Sequence, residues 1–120
     1  MRVVVTSEGP GIDSPTDPRF GRARYFILVD TETGEHSGID NALNLNAAQG
    51  AGIQAGRKVV ELGAQAVVTG HVGPKAFSAL KAGGVSVYLG AAGSVGEAIE
   101  QFKSGRLQLA EAASVGGHGM

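Results

Sequence analysis

Cysteine is absent from this chain, and that single absence removes disulfides, thiolate nucleophiles and the usual ligands of iron–sulfur clusters. An excess of one charge is lacking as well. Ten Lys and Arg stand against eleven Asp and Glu, a net charge of −1, so no nucleic-acid or membrane surface is expected. No apolar run approaches membrane-spanning length. Met1 leads straight into Arg2, Val3, Val4 and Val5 without the pattern of a targeting signal, so the expected location is the cytoplasm. Carboxylates are not gathered either. Asp13, Asp17, Asp30 and Asp40 are scattered and the first apolar segment carries none, which argues against a two-metal nuclease. Ser7, Ser78 and Ser94 have no evident His–Asp partners, and no nucleophile elbow occurs. A non-catalytic role follows as the expectation.

Among its 120 residues, 42% are apolar, enough for one core. Residues 1–110 are expected to form a single domain and 111–120 a flexible tail containing Gly and His. Glycine is the outlier, at 20 residues with no fixed period. The glycines fall between periodic segments, where backbones need positive φ or close approach.

Residues 3–6 read as a buried strand, and Pro10, Pro15 and Pro18 keep the following segment, 7–21, irregular. Residues 23–29 and 35–40 read as strands joined by a turn at 30–34. The period then becomes helical, with Ile53, Gly56 and Val60 on one face, Arg57, Lys58 and Glu61 on the other, and Gly63 at the end. Residues 66–69 form a strand without polar alternation. Pro74 opens a second helix with Phe77 and Leu80 inward, and residues 85–89 make a fifth strand. Ser94 and Glu97 have the spacing of a capping box for a last helix that Gly105 stops. Residues 106–109 are left as a short extended piece.

The order βββ-α-β-α-β-α, with right-handed crossovers, gives an α/β fold. Its sheet is mixed and five-stranded, ordered 3-2-1-4-5, with strand two antiparallel and helices on both faces. This is the ribonuclease H-like motif. It places the connections 7–22, 41–49, 70–73 and 90–93 on one edge. Strands one and four send their chains in opposite directions there, so a ligand crevice is expected between them. Two segments should line it: 17–22, with Arg19, Phe20, Gly21 and Arg22, and 69–75, with Gly70, His71, Gly73 and Lys75.

The second segment leads into a helix N-terminus, which favours an anion, and His71 and Lys75 add donors. The plainer alternative is that Gly70 and Gly73 only permit a tight turn. Phe20 belongs to no periodic pattern, so it reads either as a ligand contact among arginines or as an anchor plugging the core edge. His36 is expected to face solvent. His118, beside Met120 in the tail, is a candidate metal ligand with His71, the alternative being a plain disordered tail.

Three stretches of the chain, 17–26, 50–55 and 69–77, resemble the dinitrogenase iron–molybdenum cofactor biosynthesis family. Gly116, Gly117, His118 and Gly119 are similar to the close of many members. The resemblance implies a ribonuclease H-like fold and a small nitrogenase accessory factor that carries iron–molybdenum cofactor or its iron–sulfur precursors between assembly proteins. It also implies a cluster-binding histidine immediately before the Phe-Gly of the first motif. Here that position is Arg19, which cannot ligate iron but can hydrogen-bond cluster sulfides or a carboxylate such as homocitrate. The leading expectation is thus a carrier of an iron–sulfur or iron–molybdenum cluster at Arg19 and His71. The alternative is a regulatory or interaction module that binds a protein partner or small anionic metabolite at the same edge.

Overall fold

The computed structural model describes residues 1–42 and 51–113. Along them run β1 (Arg2–Ser7), β2 (Tyr25–Asp30), β3 (His36–Asp40), α1 (Ala51–Glu61), β4 (Ala66–Val68), α2 (Pro74–Ala82), β5 (Ser86–Leu89), α3 (Val95–Lys103) and β6 (Gln108–Leu109). They make one sheet in the order β3-β2-β1-β4-β5-β6. As expected, β2 is antiparallel to β1 and β3, while β1, β4 and β5 are mutually parallel neighbours. The expected five strands are in fact six. Leu109 pairs with Tyr88 and Gln108 with Leu89 in an antiparallel edge. Two residues are too few for any alternation of hydrophobicity to announce a strand.

The apolar run of β1 is explained by cover on both sides. Val4 faces a core made with Phe26, Val67 and Val87 of the sheet, Ala55 and Val59 of α1, and Ala76 and Leu80 of α2. Val3 and Val5 face a second core with Ile27, Val29 and Val68, closed by Val95, Ala98 and Ile99 of α3. All three valines are fully buried, each contributing about 1.5–3 kcal/mol over exposure. That makes β1 the fixed strand from which the site is hung.

Helices thus lie on both faces, two on one and one on the other. The loop after β1 completes the thinner side, with Ile12 packed into the α3 core. Pro10 crosses β3 so closely that a Cβ on Gly38 would lie 2.6 Å from its carbonyl oxygen. Only glycine admits that approach.

The α1 face differs from the expected one. Ala55, Gly56 and Val59 are buried, whereas Ile53 and Val60 are only partly so. The helix packs against α2 through small residues: a Cβ on Gly52 would lie 3.3 Å from Ala76 Cβ, and one on Gly56 2.9 Å from Ala79 Cβ. This close approach turns the alanines and glycines inward and the larger Ile53 to the flank.

Candidate functional site

Thr6 near the end of β1 and Thr69 just past β4 mark the point where neighbouring parallel strands diverge. The loop from β1 is laid across this point. Asp17 N–H donates to the Thr6 carbonyl at 2.9 Å, and Thr6 Oγ1 donates to the Asp17 carbonyl at 2.6 Å. One hydroxyl carries one proton, so Thr69 Oγ1, 2.8 Å away, donates to Thr6. Asp17 is held from both sides by its backbone and is 3% exposed.

Its carboxylate then organises the next turn. Asp17 Oδ1 accepts the Arg19 backbone N–H at 2.9 Å, a local bond that aspartate before proline is suited to make. The same carboxylate receives the Arg19 guanidinium at two points, Nε to Oδ1 and Nη2 to Oδ2, each 3.2 Å. The hydrogen bond and charge of Asp17, with a smaller contribution from Glu8, hold the Arg19 guanidinium above its ordinary pKa, so it stays charged. The sequence puts Asp17 in the crevice-lining segment 17–22 but gives it no role beyond that of a scattered carboxylate. The Asp-Pro dipeptide was the one available signal of its turn-forming role.

The two segments expected to line the crevice do meet. Arg19 and His71 form a parallel backbone bridge. The His71 N–H donates to the Pro18 carbonyl at 2.7 Å, and the His71 carbonyl accepts the Phe20 N–H at 3.3 Å. The backbone of His71 is fixed, yet its side chain is exposed and its imidazole has no hydrogen-bond partner among the described residues. Gly70 is needed for this contact, since a Cβ there would lie 2.7 Å from Pro18 Cα. Gly21 plays the same part against α1, where a Cβ would meet Gly52 Cα at 3.1 Å. Stretches 17–26, 51–55 and 69–77 therefore converge on one place, joined backbone to backbone.

Of the two readings of Phe20, its burial matches the anchor at the core edge. It is 2% exposed, lies in the core with Val4 and Val72, and stacks on Phe26 with ring centroids 5.7 Å apart. The aromatic ring anchors the loop from inside, so that Arg19, Gly21 and Arg22 are presented from outside. Arg19, Arg22, His71 and Lys75 are all exposed on this surface.

The N-terminus of α2 opens beside them. Its N-cap is Gly73, with no side-chain cap, followed by Pro74, which has no N–H. Nothing lies within 4 Å of where a Gly73 Cβ would stand. Lys75 follows, exposed and in no ion pair among the described residues. Among the described residues the arrangement presents positive charge, hydrogen-bond donors and one imidazole, groups suited to a ligand that accepts hydrogen bonds. Among the described residues no three His, Asp or Glu side chains gather to hold a metal ion. His118 and the connection 43–50 lie outside the described residues, and His36 is exposed on β3. No described helix is long and apolar enough to cross a membrane.

Residues 1–105 match the family model for dinitrogenase iron–molybdenum cofactor proteins. Over 97 residues the chain is 33% identical to an uncharacterised protein of Methanocaldococcus jannaschii, covering 78% of this chain and 81% of that one. Its structure resembles the apo form of the orange protein from Desulfovibrio gigas, with a TM-score of 0.90 and 41% identity, over 93% of this chain and 94% of the other. It also resembles a Thermotoga protein provisionally described as NifB, with a TM-score of 0.79 and 39% identity, over 90% and 91% of the two chains.

Proposed function

The chain belongs to the dinitrogenase iron–molybdenum cofactor family, and we propose that it is a non-catalytic carrier of an anionic metal–sulfur cluster of the iron–sulfur or iron–molybdenum type. One observation carries the proposal: the described parts of the three stretches that resemble the family meet at one surface, where Arg19 and His71 are bridged and the α2 N-terminus has no side-chain cap among the described residues. With no cysteine in the chain, thiolates cannot ligate iron. His71 supplies the one imidazole of this surface among the described residues, and Arg19, Arg22, Lys75 and the backbone beyond Gly73 supply donors and charge to cluster sulfides or a carboxylate. The similar orange protein has an apo form, a word used of a chain that can also hold a bound group.

The test is an anaerobic absorbance titration of the protein with isolated iron–molybdenum cofactor and with a soluble [4Fe–4S] cluster. Saturable, stoichiometric spectral change is expected in wild type. It should weaken by about 10- to 100-fold in Arg19→Ala, the range for losing a charge-assisted hydrogen bond. In His71→Ala the spectrum of the bound cluster itself should change. A flat wild-type titration with both clusters would sink the proposal.

A second reading has its own observation. Beside Lys75, a groove of about 590 Å³ runs between α1 and α2, lined by Ile53, Arg57, Pro74, Ser78 and Ala79. An apolar floor with two cations suits a protein partner that carries acidic residues. Co-purification of such a partner, lost in Arg57→Glu with cluster binding retained, would favour an interaction module.

A further inference from the structure

We infer that Asp17 is the positioning residue of this surface, turning Arg19 from a mobile cation into a fixed hydrogen-bond fork whose charge the Asp17 carboxylate balances. The inference rests on the reading of the surface as a binding site. It adds that Arg19 reads where a ligand's acceptors lie, and leaves the attraction of charge to the other cations of the surface.

The argument starts from the contrast between the two partners. The Asp17 side chain is 4% exposed and that of Arg19 is 67% exposed. A buried carboxylate needs its lone pairs satisfied, and Arg19 meets that need three times, through its backbone N–H, Nε and Nη2. Asp17 is itself clamped to β1 by two bonds to Thr6. A rigid line therefore runs from the buried strand through Thr6 and Asp17 to the guanidinium.

A guanidinium has five N–H donors. Nε–H and one Nη2–H are taken by Asp17, leaving both Nη1 hydrogens and the other Nη2–H on the exposed side. Those donors keep a fixed direction because the plane of the group is set by its two-point contact. The charge balance differs from that of a free arginine: Asp17 cancels Arg19, and Glu8 also acts on it. What faces a ligand is then a set of directed donors beside His71, with little net field of its own. A flexible lysine would do the reverse, offering charge without direction.

Two measurements test this separately from the carrier reading. In the free protein, Arg19 Nε–H should give a distinct, slowly exchanging NMR signal that joins the exposed arginines in Asp17→Asn. In titrations with isolated iron–molybdenum cofactor, Asp17→Asn leaves one more positive charge uncompensated than wild type. Its affinity should therefore fall about threefold further than that of wild type from low to high salt. If Asp17→Asn does not fold, Arg19→Lys serves. It keeps the charge balance but not the fork, so affinity should drop with the salt dependence unchanged from wild type.

An Arg19 Nε–H signal that exchanges as fast as that of Arg57 overturns the inference, whatever the titrations show. So does Arg19→Lys binding as wild type, or equal salt dependence in wild type and Asp17→Asn. A flat titration with the Arg19 signal intact sinks the carrier reading and the selection that depends on it, but not the anchoring of Arg19.

Discussion

Two helices of this protein begin in opposite ways. At α3 the Ser94 side chain accepts the Glu97 N–H at 3.1 Å, and the Glu97 side chain accepts the Ser94 N–H at 2.8 Å. The N–H groups of Val95 and Gly96 donate to the carbonyls of Ser14 and Ile12 in the loop after β1. Every donor of that first turn is taken by the protein. At α2 the cap is a glycine with no side chain, the first helical residue is a proline, and among the described residues only Phe77 N–H finds a partner in the first turn, the Gly73 carbonyl. The first end is sealed by the protein, whereas the second has no such seal among the described residues, and the proposed function gives its donors to a ligand.

That contrast can be broken at three places. The largest effect is expected from Phe20→Ala, which removes the anchor beneath the bare end and should cost about 3–5 kcal/mol in chemical denaturation. A loss well below that range would return Phe20 to the role of a surface contact. Ser94→Ala opens the sealed end and should cost about 1 kcal/mol while leaving cluster titrations unchanged. A loss of binding there would mean that the two ends are not functionally distinct. Gly73→Asp seals the bare end, since its φ of −80° and ψ of 171° already suit a capping residue and its side chain has open space. Stability should rise by a few tenths of a kcal/mol, while cluster affinity falls about tenfold or more from the added negative charge. Stability and affinity moving in the same direction would contradict the reading of that end as a binding element.

The sealed end was also the more legible one. Ser94 and Glu97 are three residues apart, so their reciprocal bonds are written in local spacing. Gly63 likewise ends α1 with a φ of 76°, where glycine is favoured. The order of the five longer strands followed from connection lengths and handedness. The bare end was legible in outline, because a strand-to-helix loop with Gly70 and Gly73 on a sheet of this order is where ligands bind. Its working parts were not. Phe20 sits in a loop that has no period, so nothing in the sequence showed its ring reaching Phe26. Asp17 gains its role from Thr6, eleven residues away, through a loop whose return path no pattern marks. The α1 face was misjudged because hydropathy ranks Ile53 above Ala55, while the close approach of α2 rewards the smaller residue.

The two-residue strand at the edge of the sheet has a consequence of its own. An open strand edge is a row of unused donors and acceptors on which another chain can extend the ladder, and it is a common seed of aggregation. On the β5 side that row is covered at Tyr88 and Leu89, and the covering strand ends after Leu109. A ladder two residues long offers an incoming strand almost nothing to copy, so this border of the sheet is blunted by brevity.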